Sequence, residues 1–151
     1  MPALADGWVL PDDRSDLYRN GEQLPVPLII GNVAQEIQFG GTPAAARGLL
    51  QQIFARNAEE ALELYGFDGD TPPADDPVLG SVGTQAISDM IFRCPTNVEA
   101  QWQLKVGQNV WRYEFGVKRP GLDVLSHNAE LDYVFSEMPE GATFGSWPPV
   151  Q

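Results

Sequence analysis

Apolar residues along this chain occur in short runs of two different periods. The run over residues 26–31, which holds Val26, Leu28, Ile29 and Ile30, is apolar at nearly every position and closes on Gly31. Its length, its isoleucines and its flanking turns predict a buried strand. A run apolar on both faces suits a parallel sheet covered on both sides. A second strand is predicted over residues 109–117, where Val110, Arg112 and Glu114 alternate with Trp111, Tyr113 and Phe115, giving one aromatic face. Between the strands the period is helical. Thr42 as N-cap and Pro43 at the first helical position open a helix whose Leu49, Leu50, Ile53 and Phe54 share a face. Another helix spans residues 58–65 and stops at Gly66. Residues 78–106 read as helix divided by Pro95, with Ile87, Met90 and Ile91 on one face and Val98, Trp102 and Val106 on another. Pro120 and Gly121 end the second strand, residues 128–136 predict a short helix, and a Gly/Pro-rich tail follows. Residues 1–24 read as loop, with turn signals at Leu10-Pro11-Asp12-Asp13 and Asn20-Gly21, and residues 66–77 as an acidic, proline-rich loop. Strands separated by helices place the chain in the α/β class, with a few-stranded, largely parallel sheet.

Composition narrows the picture. A chain of 151 residues, 43% hydrophobic and 20% charged, is expected to form a single domain over residues 1–151. At that size it buries roughly 70% of its unfolded surface. Twenty-one acidic residues against nine basic ones give a formal charge of −12, which disfavours nucleic acid and anionic membrane surfaces as partners. The apolar runs are too short to span a membrane. The first residues lack a basic and an apolar region, so no secretory signal is expected and the cytoplasm is the default location. The single cysteine, Cys94, excludes an internal disulfide, and the single histidine, His127, excludes a His-rich zinc site. The acidic loop lacks the glycine and glutamate register of a calcium loop. No metal or other cofactor is expected.

The remaining chemistry centres on Glu36 and His127, each in the segment that follows a strand. In an open α/β sheet, ligands bind at the carboxyl ends of strands, and parallel neighbours bring those segments to one edge. A carboxylate there can accept the histidine's Nδ1–H and fix its tautomer, as in a Ser-His-acid triad. A surface histidine beside a carboxylate is also commonplace without catalysis. The nucleophile is missing: no G-x-S-x-G elbow occurs. Gly80-Ser81-Val82-Gly83 comes nearest, and Ser81 reads as a helix start. Of the serines, only Ser15 precedes Glu36, in a polar loop. Gly40-Gly41 reads as a turn before a helix, with anion binding as the alternative.

Five segments then carry a resemblance, in order along the chain: Asp6-Gly7-Trp8-Val9-Leu10-Pro11; the stretch from Val26 to Glu36; Asp89 with Phe92, Cys94 and Pro95; the strand from Val110 to Phe115; and Ser126-His127 with Glu130, Tyr133, Val134 and Phe135. Together they resemble the type-B carboxylesterase family, which includes the cholinesterases and bacterial para-nitrobenzyl esterases. The resemblance implies part of an α/β-hydrolase fold, with Glu36 as the triad acid, His127 as the general base and Glu130 as a structural acid near the histidine. Ile37 and Asn128 stand where the family commonly has glycine. In the cholinesterases the cysteine matching Cys94 is paired, whereas here it has no partner.

In that family these motifs occupy the later part of a chain over three times as long. The serine, the oxyanion glycines and the central strands lie in the earlier part. The chain therefore looks like an internal piece of an esterase beginning with its own Met1 and ending before the family's last helix. The expectation is a half-triad inactive alone in carboxylic ester hydrolysis, working with a complementary esterase chain. The alternative is a stand-alone, non-catalytic descendant that self-associates or binds a small molecule. An unpaired strand edge at residues 26–31 predicts a homodimer. The aromatic set Trp102, Trp111, Tyr113, Phe115 and Phe135 reads as core, or in part as a pocket or interface.

Overall fold

Strand β1 (Leu28–Val33) pairs with strand β2 (Val110–Phe115) in the computed structural model, which describes residues 5–118 and 124–135. Leu28 N–H donates to the Asn109 carbonyl at 3.0 Å and Ala34 N–H to the Phe115 carbonyl at 2.8 Å. The offset is the same at both ends, so the strands are parallel. This register sets Ile29, Gly31 and Val33 beside Trp111, Tyr113 and Phe115. A Cβ on Gly31 would lie 2.5 Å from the Tyr113 ring, so the close approach requires glycine.

Two expectations about the strands need correction. The first strand runs over Leu28–Val33 rather than 26–31. Pairing starts with the Leu28 N–H and continues past Gly31 to the Ala34 N–H. Nor is the strand covered on both faces: Ile29 is 73% exposed, and Trp111 and Tyr113 on the same face are 55% and 40% exposed. The second strand is Val110–Phe115, inside the predicted 109–117.

The described residues fall into two compact units. The first holds residues 5–31 and 94–113. Helix α1 (Arg14–Asn20) lies where a loop was expected. Asp13 caps its start by accepting the Ser15 N–H at 2.8 Å, and Gly21, at φ 78°, ends it in the left-handed region. Tyr18 packs on Trp102 of helix α5 (Cys94–Lys105) with ring centroids 5.9 Å apart. Gln103 Nε2 donates to the carbonyls of Leu24 and Val26 at 3.0 and 2.6 Å.

The second unit holds residues 32–93, 114–118 and 124–135. Helix α2 (Pro43–Phe54) opens at Thr42, whose hydroxyl accepts the Ala45 N–H. A 3-10 turn leads to helix α3 (Ala58–Leu64), and helix α4 (Val82–Ser88) starts at the Ser81 cap. Leu50 and Ala46 pack with Leu62, Phe67, Val82 and Ala86 in one core cluster. A smaller cluster joins Val33 and Ala34 to Leu125 and Ala129, with Leu79 and Phe115 against it. Helix α6 (Leu131–Val134) is shorter than expected.

A π-helical turn, Asp89–Arg93, follows α4. It overturns the predicted apolar face: Met90 and Ile91 are each 45% exposed, because the turn breaks the 3.6-residue period on which that expectation rested. Nor does Pro95 divide the stretch as expected: α4, the π-helical turn and α5 follow one another without a gap, and Pro95 is the second residue of α5, a first-turn position that needs no N–H donor. Pro120, Gly121 and the tail beyond residue 135 lie outside the described residues. Among the described residues, no helix is long and apolar enough to cross a membrane.

Candidate functional site

The chain turns sharply after β1, and Glu36 is buried there, 6% exposed. One carboxylate oxygen, Oε1, accepts the Val33 N–H at 2.7 Å, closing the turn on itself. The backbone of the same turn is held from outside. Glu36 N–H donates to Ser88 Oγ at 3.2 Å, and Arg93 Nη2 donates to the Ala34 carbonyl at 3.1 Å. Phe39 N–H donates to Thr84 Oγ1 at 3.0 Å, and Gln38 Nε2 reaches the Leu125 carbonyl, also at 3.0 Å.

That last bond ties the acid turn to the segment carrying His127. Leu125 and Ala129 anchor this segment in the smaller core cluster. Between them Asn128 adopts φ 68°, a left-handed conformation that asparagine tolerates better than other side chains. His127 Nδ1 lies 2.6 Å from Glu36 Oε2. A carboxylate only accepts, so the neutral ring carries its hydrogen on Nδ1, which leaves the Nε2 lone pair free of protein partners among the described residues. The Phe92 ring packs on the imidazole at a centroid distance of 5.2 Å and a tilt of 45°. The histidine side chain is 52% exposed and the Glu36 side chain 4%. A buried acid thus orients a ring that solvent or a ligand can reach.

Arg93 sits between three acceptors. Besides Ala34, its Nε donates to Glu114 Oε2 at 2.8 Å and its Nη1 pairs with Asp89. Burial works against its charge, but Glu114 and Asp89 outweigh that and raise its pKa above the ordinary arginine value. Tyr65 OH donates to the other Asp89 oxygen at 2.7 Å.

The remaining candidates are placed elsewhere. Glu130 precedes α6, where its carbonyl accepts the N–H groups of Tyr133 and Val134, and it makes no hydrogen bond to His127. Ser81 is a helix cap, its hydroxyl 3.1 Å from Thr84 Oγ1. Ser15 stands in the first turn of α1, in the other unit. Cys94 is exposed with a free thiol. Among the described residues, no group of three or more His, Cys, Asp and Glu could hold a metal ion.

Sequence reasoning missed Ser88, Phe92, Arg93 and Gln38 as supports of the pair. Three of these come from one helical stretch, where Phe92 and Pro95 belong to the resembling motif but no local pattern marks Ser88 or Arg93 as a support. No family model matches the chain.

Proposed function

We propose that this chain is an α/β-hydrolase-like half-triad of the type-B carboxylesterase kind, with Glu36 as the acid and His127 as the general base. The supporting observation is the 2.6 Å contact between Glu36 Oε2 and His127 Nδ1, made by a buried carboxylate and a half-exposed ring. In such a site Glu36 holds the productive tautomer and stabilises the imidazolium that forms as Nε2 takes a proton from a hydroxyl. These 151 residues contain no G-x-S-x-G elbow, so in this reading the hydroxyl and the oxyanion donors lie outside them, and a complementary esterase chain is the proposed source. Without them the pair has nothing to deprotonate, and no esterase activity is expected of the chain alone.

The test pairs the purified chain with the serine-bearing part of a type-B esterase that lacks its own acid and histidine segments. Alone, the chain is expected to show no serine-inhibitor-sensitive hydrolysis of a short nitrophenyl ester. Together, the two should hydrolyse it, and His127→Ala should lower that turnover by about a thousandfold or more. Inhibitor-sensitive turnover by the chain alone, or equal complementation by His127→Ala, would overturn the reading.

The exposed face of Ile29, Trp111 and Tyr113 favours a second reading, in which the chain associates with a copy of itself. The two readings separate by oligomeric state and by complementation.

A further inference from the structure

We infer that the π-helical turn Asp89–Arg93 is the device that positions the Glu36–His127 pair, with Ser88 and Arg93 as positioning residues. The inference rests on the acid–histidine reading but not on the identity of nucleophile or substrate. Ser88 Oγ and Arg93 Nη2 grip the same turn at two points, the Glu36 N–H and the Ala34 carbonyl. They are five positions apart in the sequence. On an α-helix that spacing puts two side chains about 140° apart, on different faces. In a π-turn, bonded from i to i+5, residues five apart stack on one face. The extra residue in the turn is therefore what lets one helical stretch hold the acid turn twice.

The histidine is held from the same stretch. Phe92, next to Arg93, supplies the ring against His127. The grip is itself anchored. Ser88 is fully buried, and the Arg93 side chain, 20% exposed, is pinned by Asp89 and Glu114, with Tyr65 bonded to Asp89. The sequence explains where the turn falls. Pro95 has no N–H to bond the carbonyl four residues back, so an α-helical ladder cannot run through this point of the sequence. Met90 and Ile91, which project outward at 45% exposure, are the residues the core does not use.

His127 is the single histidine, so one imidazole signal reports the pair. In the native protein, 15N-edited NMR is expected to show an Nδ1–H protected from solvent exchange. Arg93→Met and Ser88→Ala should each speed that exchange about tenfold or more, the loss expected of one strong hydrogen bond. Arg93→Lys should fall between native and Arg93→Met. It keeps the charge but not the planar fork that reaches Ala34, Asp89 and Glu114 at once. Deleting Met90, which converts the π-turn to α, should have the largest effect. Far-UV circular dichroism identifies the variants that keep the fold, and Arg93→Lys carries the test if Arg93→Met does not fold. Unchanged exchange in the folded variants overturns the positioning role and leaves the pair intact. An Nε2–H tautomer in the native protein overturns the pair and the inference with it.

Discussion

Replacing Glu36 separates two hydrogen bonds made by one carboxylate. Oε2 takes the Nδ1–H of His127 and Oε1 takes the Val33 N–H, at 2.6 and 2.7 Å. Glu36→Gln keeps one carbonyl oxygen. If it serves Val33, the amide NH2 faces Nδ1, and the ring must adopt its other tautomer or swing out. What is lost is charge assistance at a ring that is 52% exposed, where water compensates, so the cost is about 1 kcal/mol. Glu36→Leu also removes the acceptor for the N–H of Val33, a residue with no exposed surface. A buried donor left unpaired costs about 1–3 kcal/mol, which brings the total to about 2–4 kcal/mol.

Urea unfolding separates the two variants. For a chain of this size the midpoint should fall by about 0.5 M for Glu36→Gln and by about 1–2 M for Glu36→Leu. The reasoning fails if the leucine variant is no less stable than the glutamine variant, because the Val33 bond would then contribute nothing. It fails also if both midpoints stay within about 0.2 M of the native one.

Three further outcomes follow from other parts of the chain. The N–H groups of Leu79 and Val78 hold the Asp76 carboxyl below its ordinary 3.8, so its contribution to stability is full above that value and lost as pH falls through the lower folded one. Asp76→Asn should therefore be less stable than native at neutral pH, with the difference shrinking as the pH is taken progressively below 3.8 in unfolding measured across that range. Ile29, 73% exposed on the open sheet face, should mediate self-association, with Ile29→Lys raising the dimer Kd by about tenfold or more in light scattering; a native chain that is monodisperse as a monomer counts against this. Asn128, at φ 68°, should tolerate glycine, whereas Asn128→Val should cost about 1–2 kcal/mol in thermal unfolding.

Local patterns in the sequence revealed elements in proportion to how local their causes are. Strand β2 was legible because Trp111, Tyr113 and Phe115 alternate with Val110, Arg112 and Glu114, a period of two that needs no distant partner. Helix α1 was not, because none of its residues is buried and it carries no apolar stripe; its only signals are the Asp13 cap and Gly21. The π-turn has no hydrophobic period of its own, so its residues read as an ordinary helix face. The site divides in the same way. Glu36 and His127 stand out by residue type and by their place after strands. Their supports do not, because Ser88 lies 52 residues from the turn it holds, Arg93 lies 59 and Gln38 grips a carbonyl 87 residues away.

The two departures from the resembling family also differ once backbone conformation is known. Glycine is common there at the positions of Ile37 and Asn128. Asn128 adopts the left-handed conformation that glycine serves, and asparagine is among the few side chains that accept it. Ile37 has no positive φ and therefore needs no glycine for its backbone. What it adds is bulk: a branched side chain, 37% exposed, directly after the acid. If the proposed function holds, residue 128 already has the conformation that glycine would serve, while Ile37 adds bulk to the surface that a nucleophile-bearing partner would have to meet. Ile37→Gly, rather than any change at Asn128, is therefore the substitution that should improve complementation by an esterase part whose own loop is matched to glycine.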